Sequence, residues 1–484
     1  MARILTNAKI FADVEVSSLA HFFSSLPNPA ILTGGRCSYF AAEPAEIFEF
    51  KIGDKNPFEK LRTVLSKYRI EKTDCPIDND IFTIGWIGFF SYDLNQYIET
   101  IILPAKDDLK LPLIRLCFYD KVICFDSLEK CFHLFAIEPN GSEKIAQLKD
   151  ILNQAATVIS TPAASCQPPR FTRSGAVGET RAGEKSIEKQ ISRFACGSLE
   201  MTTKAFQSNM TKDYYLQSIA KVKKYIYDGD VYQINFSQRF SKEIKVPDTF
   251  NSVELFLWQN KFNPSPYAAF IDAGDYQIIS ASPELFININ AGTITTSPIK
   301  GTRPRTGNKI IDAKNYAELL ACEKELAELD MITDLERNDL GRICKPGSIR
   351  VTDRRKIETF ATVFHAISTI EGEIKPGLDF IDCLKAVFPG GSISGAPKIS
   401  AMNIINSLEP TARGIYTGSI GWIDLRGNAS LNIVIRTILV KAGVAYAQTG
   451  GGIVADSKPD AEWHETLVKA KALLASLNAV NKKK

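Results

Sequence analysis

The sequence predicts a protein that contains both β-strands and α-helices, because strand-like and helix-like apolar patterns both recur along it. Between residues 31 and 137, apolar runs such as IFTIGWIGFF and LIRLCFYDKVICF alternate with turn residues, as the strands of a sheet do. Further along, Tyr215, Ile219, Val222 and Ile226 recur at helical spacing. The chain therefore combines sheets with amphipathic helices.

A strand with amides on one face is predicted directly after this helix. In VYQINFS, Tyr232, Ile234 and Phe236 lie on one face, whereas Gln233, Asn235 and Ser237 lie on the other. Such a strand either lines a site or is half exposed with a solvated polar face. A hairpin is predicted further on, because Ala291-Gly292 separates LFININ from TITT. This hairpin delivers the segment SPIKGTRPR to the end of a sheet.

Composition excludes several classes of protein. The 484 residues carry 58 Lys plus Arg and 55 Asp plus Glu, a net charge of +3, so no basic field attracts nucleic acid or anionic lipid. No apolar stretch approaches the roughly 20 residues that span a bilayer. The ten cysteines include no C-x-x-C pair. Several lie in apolar contexts typical of free thiols in a reducing compartment, so we expect a cytoplasmic protein.

The chain divides into three regions by composition and motif density. Residues 1–159 form an N-terminal region with strand-like patterns. Residues 160–210 are rich in Pro, Gly, Ser, Thr and charged residues, which is typical of a linker or mobile insertion. Residues 211–484 carry nearly all of the sharp motifs. We expect this last region to contain the functional site.

Two pairs of glutamates interrupt apolar helix faces. Glu325 and Glu328 lie on the apolar side of one predicted helix over LLACEKELAELDMITDL, and Glu462 and Glu465 lie on one side of PDAEWHETLVKAKALLASL. Burying a carboxylate is costly unless a cation or hydrogen bonds compensate. Oxygen ligands without paired His or Cys favour Mg²⁺. The alternative is two ordinary amphipathic helices with salt-bridged glutamates.

Two glycine-bearing segments are candidates for binding an anion through backbone amides. They are Gly301-Thr302 after Lys300, and the run Gly450 to Gly452. Turn glycines are common, and neither a Walker A motif nor a Rossmann fingerprint occurs. Nucleotide binding therefore has no support.

Two further residues are each compatible with a site or with the core. Arg436, in the strand-like run LNIVIRTILV, either pairs with a substrate carboxylate or forms a structural ion pair. His365, one of four histidines, is either a catalyst or a hydrogen-bonded core residue. The residues alone leave both alternatives open.

These segments, in this order, resemble the chorismate-utilising enzymes, which include anthranilate, aminodeoxychorismate, isochorismate and salicylate synthases. The resemblance covers nearly all of residues 211–475, and its motifs are YIYDGDVYQINFSQRF, SASPELF, PIKGTRPR, KELAELDMITDLERNDLGR, FPGGSISGAPK, RGIYTGSIGW, IRT, TGGGIVADSKP and EWHET. It implies one large α+β fold with two antiparallel β-sheets packed together and flanked by helices. It also implies that residues 211–484 form the chorismate-binding catalytic region.

The resemblance implies a role for each motif residue. Glu328 and Glu465 would hold Mg²⁺, with Glu325 and Glu462 supporting them directly or through water. Glu284 would protonate the departing hydroxyl, and Lys300 and His365 would complete the catalytic set. Substrate binding is implied for Gln233, Gly301, Thr302, Ser392, Tyr416, Arg436, Gly450, Gly451, Gly452 and Lys469.

Two positions distinguish the branches of the family. Water-adding relatives carry a lysine at the position of Gln233, and an amide cannot act as that base. Anthranilate synthases carry alanine at the position of Lys300, whereas aminodeoxychorismate synthases carry the lysine of PIKGT. We therefore expect amination of chorismate to 4-amino-4-deoxychorismate, a precursor of p-aminobenzoate and folate. The alternatives are an anthranilate synthase component I and a non-catalytic chorismate-binding or regulatory subunit.

The expected reaction needs ammonia from another chain. No cysteine lies in a G-x-C-x-G elbow with a downstream His-x-Glu, so a separate glutamine amidotransferase subunit is implied, as a heterodimer. In anthranilate synthases the N-terminal region also forms a tryptophan pocket with an LLES-like segment. Here SYFAAEP departs from that pattern, which leaves feedback inhibition by tryptophan open.

Overall fold

Two large antiparallel β-sheets form the centre of the molecule. The computed structural model describes residues 5–68, 70, 78–102, 105–158, 206–244 and 250–481. Within these ranges no helix is both long and apolar enough to cross a membrane. The predicted α+β class with two antiparallel sheets is confirmed.

The larger sheet has twelve strands. They are β1 (Leu5–Ile10), β2 (Ala30–Thr33), β3 (Cys37–Ala41), β7 (Lys121–Asp126), β8 (Cys131–Ile137), β9 (Gln207–Ser208), β10 (Gln233–Glu243), β11 (Tyr267–Asp272), β12 (Tyr276–Ser282), β18 (Gly395–Ala396), β21 (Thr437–Lys441) and β22 (Val444–Ile453). Their spatial order is β1-β8-β7-β3-β2-β11-β12-β21-β22-β10-β18, and β9 pairs with β10.

The second sheet has ten strands. They are β4 (Glu46–Phe50), β5 (Gly85–Phe90), β6 (Ile114–Tyr119), β13 (Leu285–Asn290), β14 (Thr293–Ser297), β15 (Ile299–Pro304), β16 (Arg350–Thr359), β17 (Val363–Glu373), β19 (Ser419–Asp424) and β20 (Ala429–Asn432). Their order is β15-β17-β14-β13-β20-β19-β5-β6-β4, and β16 pairs with β17.

Both the N-terminal and the C-terminal region contribute strands to each sheet. In the larger sheet β2 pairs with β11, and in the second sheet β5 pairs with β19. The sheets share the largest apolar core, in which the ring of Tyr39 from β3 meets that of Trp422 from β19 edge-on at 6.5 Å. Burial of such aromatic area is a dominant source of stability. The two regions are therefore one folded body.

Helices flank these sheets, as the resemblance implied. In the described ranges they are α1 (Val16–Ser24), α2 (Pro57–Ser66), α3 (Gly141–Val158), α4 (Lys212–Tyr227), α5 (Ser252–Phe262), α6 (Lys309–Ala321), α7 (Glu323–Gly341), α8 (Phe380–Val387), α9 (Gly391–Ser394), α10 (Lys398–Leu408) and α11 (Pro459–Asn481). The helix predicted from Tyr215 to Ile226 is thus confirmed as α4. The hairpin is confirmed too, since Ala291 and Gly292 both have positive φ, as a type I′ turn requires.

The single helix predicted over LLACEKELAELDMITDL was wrong. Cys322 has φ −77° and ψ 88°, so α6 ends before it and α7 begins at Glu323. Two acidic residues, Glu323 and Glu325, then occupy the first turn of α7, where the positive end of the helix dipole stabilises them. The chain therefore forms two helices here, and both pack against β15 and β17.

Residues 206–210, at the C-terminal end of the segment 160–210 that was expected to be a linker, belong to the larger sheet and its core. Residues 159–205 lie outside the described residues. Phe206 and Met210 are buried, and β9 between them pairs with β10. Apolar burial and strand pairing therefore attach residues 206–210 to the larger sheet.

Candidate functional site

Lys300 is presented by a bulged strand at the edge of the second sheet. β15 pairs with β17, and the register shifts between Lys300 and Thr302. Gly301 lies at this shift with φ +73°, a conformation that favours glycine. The Lys300 ammonium donates to the backbone carbonyl of Ser392 at 3.3 Å. The bulge thus aims the lysine at the short helix α9.

The electrostatic surroundings of Lys300 favour its neutral amine. Burial lowers the pKa of Lys300, and the nearby Lys469 ammonium lowers it further. The carboxylates of Glu284, Glu328 and Glu465 act in the opposite direction. Desolvation is the largest of these influences, so the net pKa lies below the ordinary lysine value.

Glu284 is a buried carboxyl beside this lysine. Its side chain is 5% exposed, and its Oε1 accepts from the backbone N–H of Ile299 at 3.5 Å. Burial raises the pKa of Glu284, although Ser392, Lys300 and Arg436 oppose the rise. A carboxyl group that retains its proton more readily than usual is suited to general acid chemistry.

Glu325 and Glu328 extend from α7 toward β15. Glu325 Oε1 accepts from Arg303 Nη1 at 3.0 Å, whereas its buried Oε2 has no hydrogen-bond partner. A Cβ added at Gly301 would lie 3.0 Å from that same Oε2. A buried carboxylate oxygen without a partner is costly, and a cation would compensate for it.

Glu462 and Glu465 approach from α11 on the other side. A Cβ added at Gly451 would lie 3.3 Å from Glu462 Oε2 and 3.7 Å from Glu465 Oε1. The Lys469 ammonium binds Glu465 at 2.7 Å and the backbone carbonyl of Gly450 at 3.0 Å. The glycines therefore let β22 run directly beneath the carboxylates of α11.

The four glutamates suit Mg²⁺ but do not form a closed cage. Burial raises the pKa of Glu328 and Lys300 opposes the rise, while Glu325 on the same helix and Glu465 on α11 raise it further. Among the described residues, no three of these carboxylates have oxygens within 4.8 Å of one another. Mg²⁺ keeps several waters and needs only one or two protein carboxylates. The hard oxygen donors and the unpaired Oε2 of Glu325 therefore fit this ion.

His365, Thr302 and Arg436 form a chain on the other side of Lys300. His365 Nδ1 lies 2.9 Å from the Thr302 hydroxyl, and Nε2 lies 3.4 Å from Arg436 Nη2. A guanidinium only donates hydrogen bonds, so Nε2 accepts and the ring proton is on Nδ1. Burial, with help from Arg436, lowers the pKa of His365 to about 3. The neutral ring holds Arg436 in place.

Arg436 is a cation without an anionic partner among the described residues. Its Cα has φ +51° in the short connection between β20 and β21, so the strand-like pattern of LNIVIRTILV hid an irregular backbone. No carboxylate lies within 4.0 Å of it in the described part of the chain, and burial lowers its pKa. An unpaired guanidinium facing the site is available for a substrate carboxylate.

Gln233 closes the site near the end of β22. It is 2% exposed, and its Oε1 has no hydrogen-bond partner. A Cβ added at Gly452 would lie 2.0 Å from Gln233 Nε2. The amide therefore occupies the space that a side chain at Gly452 would fill.

Tyr416 and Ser392 are held by a buried ion pair that the sequence reasoning missed. Arg413 and Glu409, each 2% exposed, form two hydrogen bonds of 2.9 and 2.8 Å. Arg413 also donates to the carbonyl of Ile393, next to Ser392, and lies 5.7 Å from the Tyr416 ring. The Tyr416 N–H donates to the Arg413 carbonyl at 3.2 Å, the Tyr416 carbonyl accepts from the Thr417 hydroxyl at 2.7 Å, and burial raises the pKa of Tyr416. Glu409 lies past the end of α10 and Pro410 follows it, so the helical i, i+4 rule does not apply and no sequence pattern marked the pair.

Comparison with known proteins shows which family the chain resembles in sequence. The family model described as chorismate binding enzyme matches residues 30–475. The chain is 35% identical to the aminodeoxychorismate synthase component 1 of Bacillus subtilis, over 92% of this chain and 90% of the relative. It is 36% identical to the anthranilate synthase component 1 of Pseudomonas aeruginosa, over 82% of this chain and 75% of the relative.

A solved structure agrees with these relatives. The anthranilate synthase component I of Streptococcus pneumoniae superposes with a TM-score of 0.72 at 31% identity, covering 91% of this chain and 93% of that one. The likeness extends over both sheets, because so much of each chain is covered. Nearly the whole chain thus matches one family in sequence and in fold, and it belongs to the chorismate binding enzymes, which act on chorismate.

Proposed function

We propose that the chain is the chorismate-aminating component of an aminodeoxychorismate synthase. The observation that carries this proposal is Lys300, a half-buried amine with a lowered pKa, on which the charges of Glu284, Glu328 and Glu465 all act. A lysine is a nucleophile only when neutral, and desolvation supplies that state. An alanine at this position would leave no such nucleophile.

The lysine acts first in the proposed reaction. Its neutral amine attacks ring carbon C2 of chorismate while the C4 hydroxyl leaves as water. Glu284 donates the proton that the departing hydroxyl needs. Ammonia then adds at C4, the amine of Lys300 departs from C2, and a base accepts the proton released from the incoming nitrogen. The product is 4-amino-4-deoxychorismate with its enolpyruvyl group intact.

Charged groups on either side of the ring hold the substrate. Chorismate carries two carboxylates, and Arg436, oriented by His365, is free to pair with one of them. Glu328 and Glu465, supported by Glu325 and Glu462, would hold Mg²⁺. When bound, that ion supplies positive charge for the ring carboxylate of the substrate. The amides of Gly450 to Gly452 and the side chains of Thr302, Ser392, Tyr416 and Lys469 complete the proposed pocket.

Ammonia is proposed to come from a separate glutamine amidotransferase subunit. The designation component 1 of the relatives from Bacillus subtilis and Pseudomonas aeruginosa supports this partner. A cytoplasmic location and a place in folate synthesis follow from the same proposal.

One assay distinguishes the proposed activity from its rivals. The purified chain is incubated with chorismate, Mg²⁺ and ammonium, with and without an aminodeoxychorismate lyase. We expect p-aminobenzoate only when the lyase is present. Fluorescent anthranilate plus pyruvate without the lyase would instead identify an anthranilate synthase. No Mg²⁺-dependent consumption of chorismate would identify a non-catalytic binding subunit.

Anthranilate synthesis is the second candidate function. The identity to the Pseudomonas aeruginosa anthranilate synthase component 1, 36%, equals that to the aminodeoxychorismate synthase relative within one percentage point. The proposed amination passes through a covalent lysine adduct and keeps the enolpyruvyl group. Anthranilate synthesis needs no such lysine and releases pyruvate. The presence of Lys300 favours amination to 4-amino-4-deoxychorismate over anthranilate synthesis.

The lysine step has its own test. Mass spectrometry of a quenched reaction should show a substrate-sized adduct on the peptide that contains Lys300. Lys300→Ala should lose the adduct and roughly a thousandfold or more of the amination rate. Lys314→Ala, which removes a 74% exposed lysine from α6, is the matched control. A fully active Lys300→Ala enzyme would refute the nucleophile.

A further inference from the structure

Three side chains of different chemistry converge at the end of the β7–β8 hairpin, remote from the proposed pocket. Glu129 lies in the turn, and Cys131 and His133 follow on β8 at alternate positions, so all three point to one face. Cys131 Sγ lies 3.4 Å from His133 Nε2 and 3.6 Å from Glu129 Oε2. The third edge, from His133 Nε2 to Glu129 Oε2, is 3.8 Å.

This triangle has the dimensions of one face of a tetrahedral metal site. Zinc lies about 2.3 Å from sulfur, about 2.0 to 2.1 Å from imidazole nitrogen and about 2.0 to 2.2 Å from carboxylate oxygen. With tetrahedral angles these lengths give ligand separations of about 3.3 to 3.6 Å. The observed edges are within a few tenths of an ångström of those values. We propose that Glu129, Cys131 and His133 bind a Zn²⁺ ion, with water as the fourth ligand.

The scaffold around the cluster fixes two of the three ligands. Asp126 Oδ1 accepts from the backbone N–H groups of Leu128 and Glu129 at 2.9 and 3.2 Å, which shapes the turn. Arg36 holds Asp126 in turn, at 2.8 Å. The His133 ring lies parallel to that of Phe135, with an interplanar angle of 3°. Outer contacts that orient ligands in this way strengthen metal binding.

A cation already occupies the open side of the cluster. The Lys9 ammonium, opposite His133 on β1, binds Glu129 Oε2 at 2.6 Å. Both side chains are more than 40% exposed, so water and salt screen this ion pair and a metal ion can displace the ammonium. Zn²⁺ binding moves the ammonium into water, still charged, and releases the Cys131 thiol proton to solvent as the Zn–S bond forms. No oxidant or reductant is involved.

The proposed zinc site is independent of the chorismate pocket. Six strands separate β8 from β22 in the larger sheet. At about 4.8 Å for each of the seven intervals between β8 and β22, the two sites are roughly 34 Å apart. The ligands also differ in kind, since thiolate and imidazole select zinc whereas carboxylates select Mg²⁺. The inference therefore stands whichever chorismate reaction the chain catalyses.

Cobalt(II) tests the site because a thiolate bound to it gives a near-ultraviolet charge-transfer band. The full chain is titrated with Co²⁺ in excess Mg²⁺, so that the carboxylates of α7 and α11 are already occupied. We expect one thiolate-bound Co²⁺ per chain, displaced by Zn²⁺. The band should vanish in Cys131→Ser and persist in Cys344→Ser, which removes another buried thiol. Absence of the band, or an unchanged band in Cys131→Ser, would overturn the site.

Two further measurements test the zinc site without relying on Cys131→Ser, which would also lose the band if it folded poorly. Zn²⁺ should raise the Tm of the wild-type chain, because a ligand that binds only the folded state stabilises it. Lys9→Met should tighten Zn²⁺ binding about twofold to fivefold, the range that loss of a competing exposed ion pair allows. A weakened or unchanged Zn²⁺ affinity in Lys9→Met, or no zinc-dependent change in the wild-type Tm, would contradict the proposal.

Discussion

Arg303 and Glu325 form an ion pair of 3.0 Å between β15 and the first turn of α7. The bond uses only Oε1 of Glu325, so its Oε2 stays without a partner and faces Gly301. The pair therefore fixes the direction of one carboxylate of the proposed Mg²⁺ site. Because Arg303 follows Lys300 by three residues, it also ties the strand that presents the lysine to the helix that presents the glutamates.

Arg303→Ala should weaken Mg²⁺ binding without removing a ligand. Loss of an outer contact to a metal ligand typically costs about 10- to 100-fold in affinity. The Mg²⁺ concentration that gives half-maximal chorismate consumption should rise accordingly. Arg337→Ala is the control, because Arg337 pairs with Asp334 on the exposed side of α7. Equal Mg²⁺ requirements in the two variants would show that Arg303 has no part in metal binding.

Gly452→Ala should disturb the pocket through Gln233. The added methyl would lie 2.0 Å from Gln233 Nε2, so the amide must move. Overpacking of this kind costs about 1 to 3 kcal/mol in the free energy of unfolding, and a displaced Gln233 should also lower kcat/KM for chorismate. Gly341→Ala, where nothing lies within 4 Å of the new methyl, is the matched control and should leave both quantities nearly unchanged. A Gly452→Ala enzyme as stable and active as this control would contradict the packing argument.

How far the sequence predicts the molecule depends on the range of the interaction. Local patterns predicted the hairpin at Ala291-Gly292 and the helix from Tyr215 to Ile226, because turn chemistry and helical periodicity are encoded within a few residues. The break at Cys322 was missed, since an apolar periodicity continues across it without Gly or Pro. The pairing of Arg303 with Glu325 was out of reach for a different reason: it joins residues from two elements whose approach only the tertiary fold determines.

The buried pair of Arg413 and Glu409 should be a main contributor to stability. Arg413→Met leaves the Glu409 carboxylate buried without its cation, which typically costs about 3 to 5 kcal/mol. Denaturant unfolding should show this loss. Lys345→Met breaks the exposed pair with Glu373 and should cost no more than about 1 kcal/mol. Similar losses in the free energy of unfolding of the two variants would show that the buried pair stabilises the fold no more than the exposed pair does.

Glu336 should make stability fall as pH rises. Burial raises its pKa to about 8 from an ordinary value of 4.5, and its Oε2 accepts from the Thr296 hydroxyl. Between these two values the folded chain binds more protons at this site than the unfolded chain, so the free energy of unfolding falls by up to about 1.4 kcal/mol per pH unit. Glu336→Gln removes this contribution.

Denaturant unfolding at pH 5.5 and pH 7.5 checks the sign. From the slope above, the wild type should lose roughly 2 to 3 kcal/mol more than Glu336→Gln over this interval. Glu323→Gln, at the exposed start of α7, should follow the wild type. Parallel pH profiles for the wild type and Glu336→Gln would contradict a carboxyl group that is protonated in the folded chain at neutral pH.

Glu284→Gln should separate acid catalysis from substrate binding. The amide keeps the size of the carboxyl and an oxygen that accepts from Ile299, but it has no proton to give. Loss of a positioned general acid typically costs about 10²- to 10⁴-fold in kcat, whereas KM for chorismate should change little. Because the acid must be protonated, the wild-type kcat should fall as pH rises through the raised pKa of Glu284.

Lys300 has the opposite requirement in the same reaction. Its amine must be neutral, so kcat should also fall as pH drops through the lowered pKa of Lys300. The wild type should then show a bell-shaped profile, and Glu284→Gln should retain only the acidic limb. A variant that keeps the alkaline limb would assign that limb to another group and remove Glu284 as the proton donor. Lys300 and Glu284 both lie beside Ser392, so a collapsed pocket would disturb both groups and both limbs of the pH profile. Loss of the alkaline limb alone in Glu284→Gln therefore shows that only the proton donor is missing.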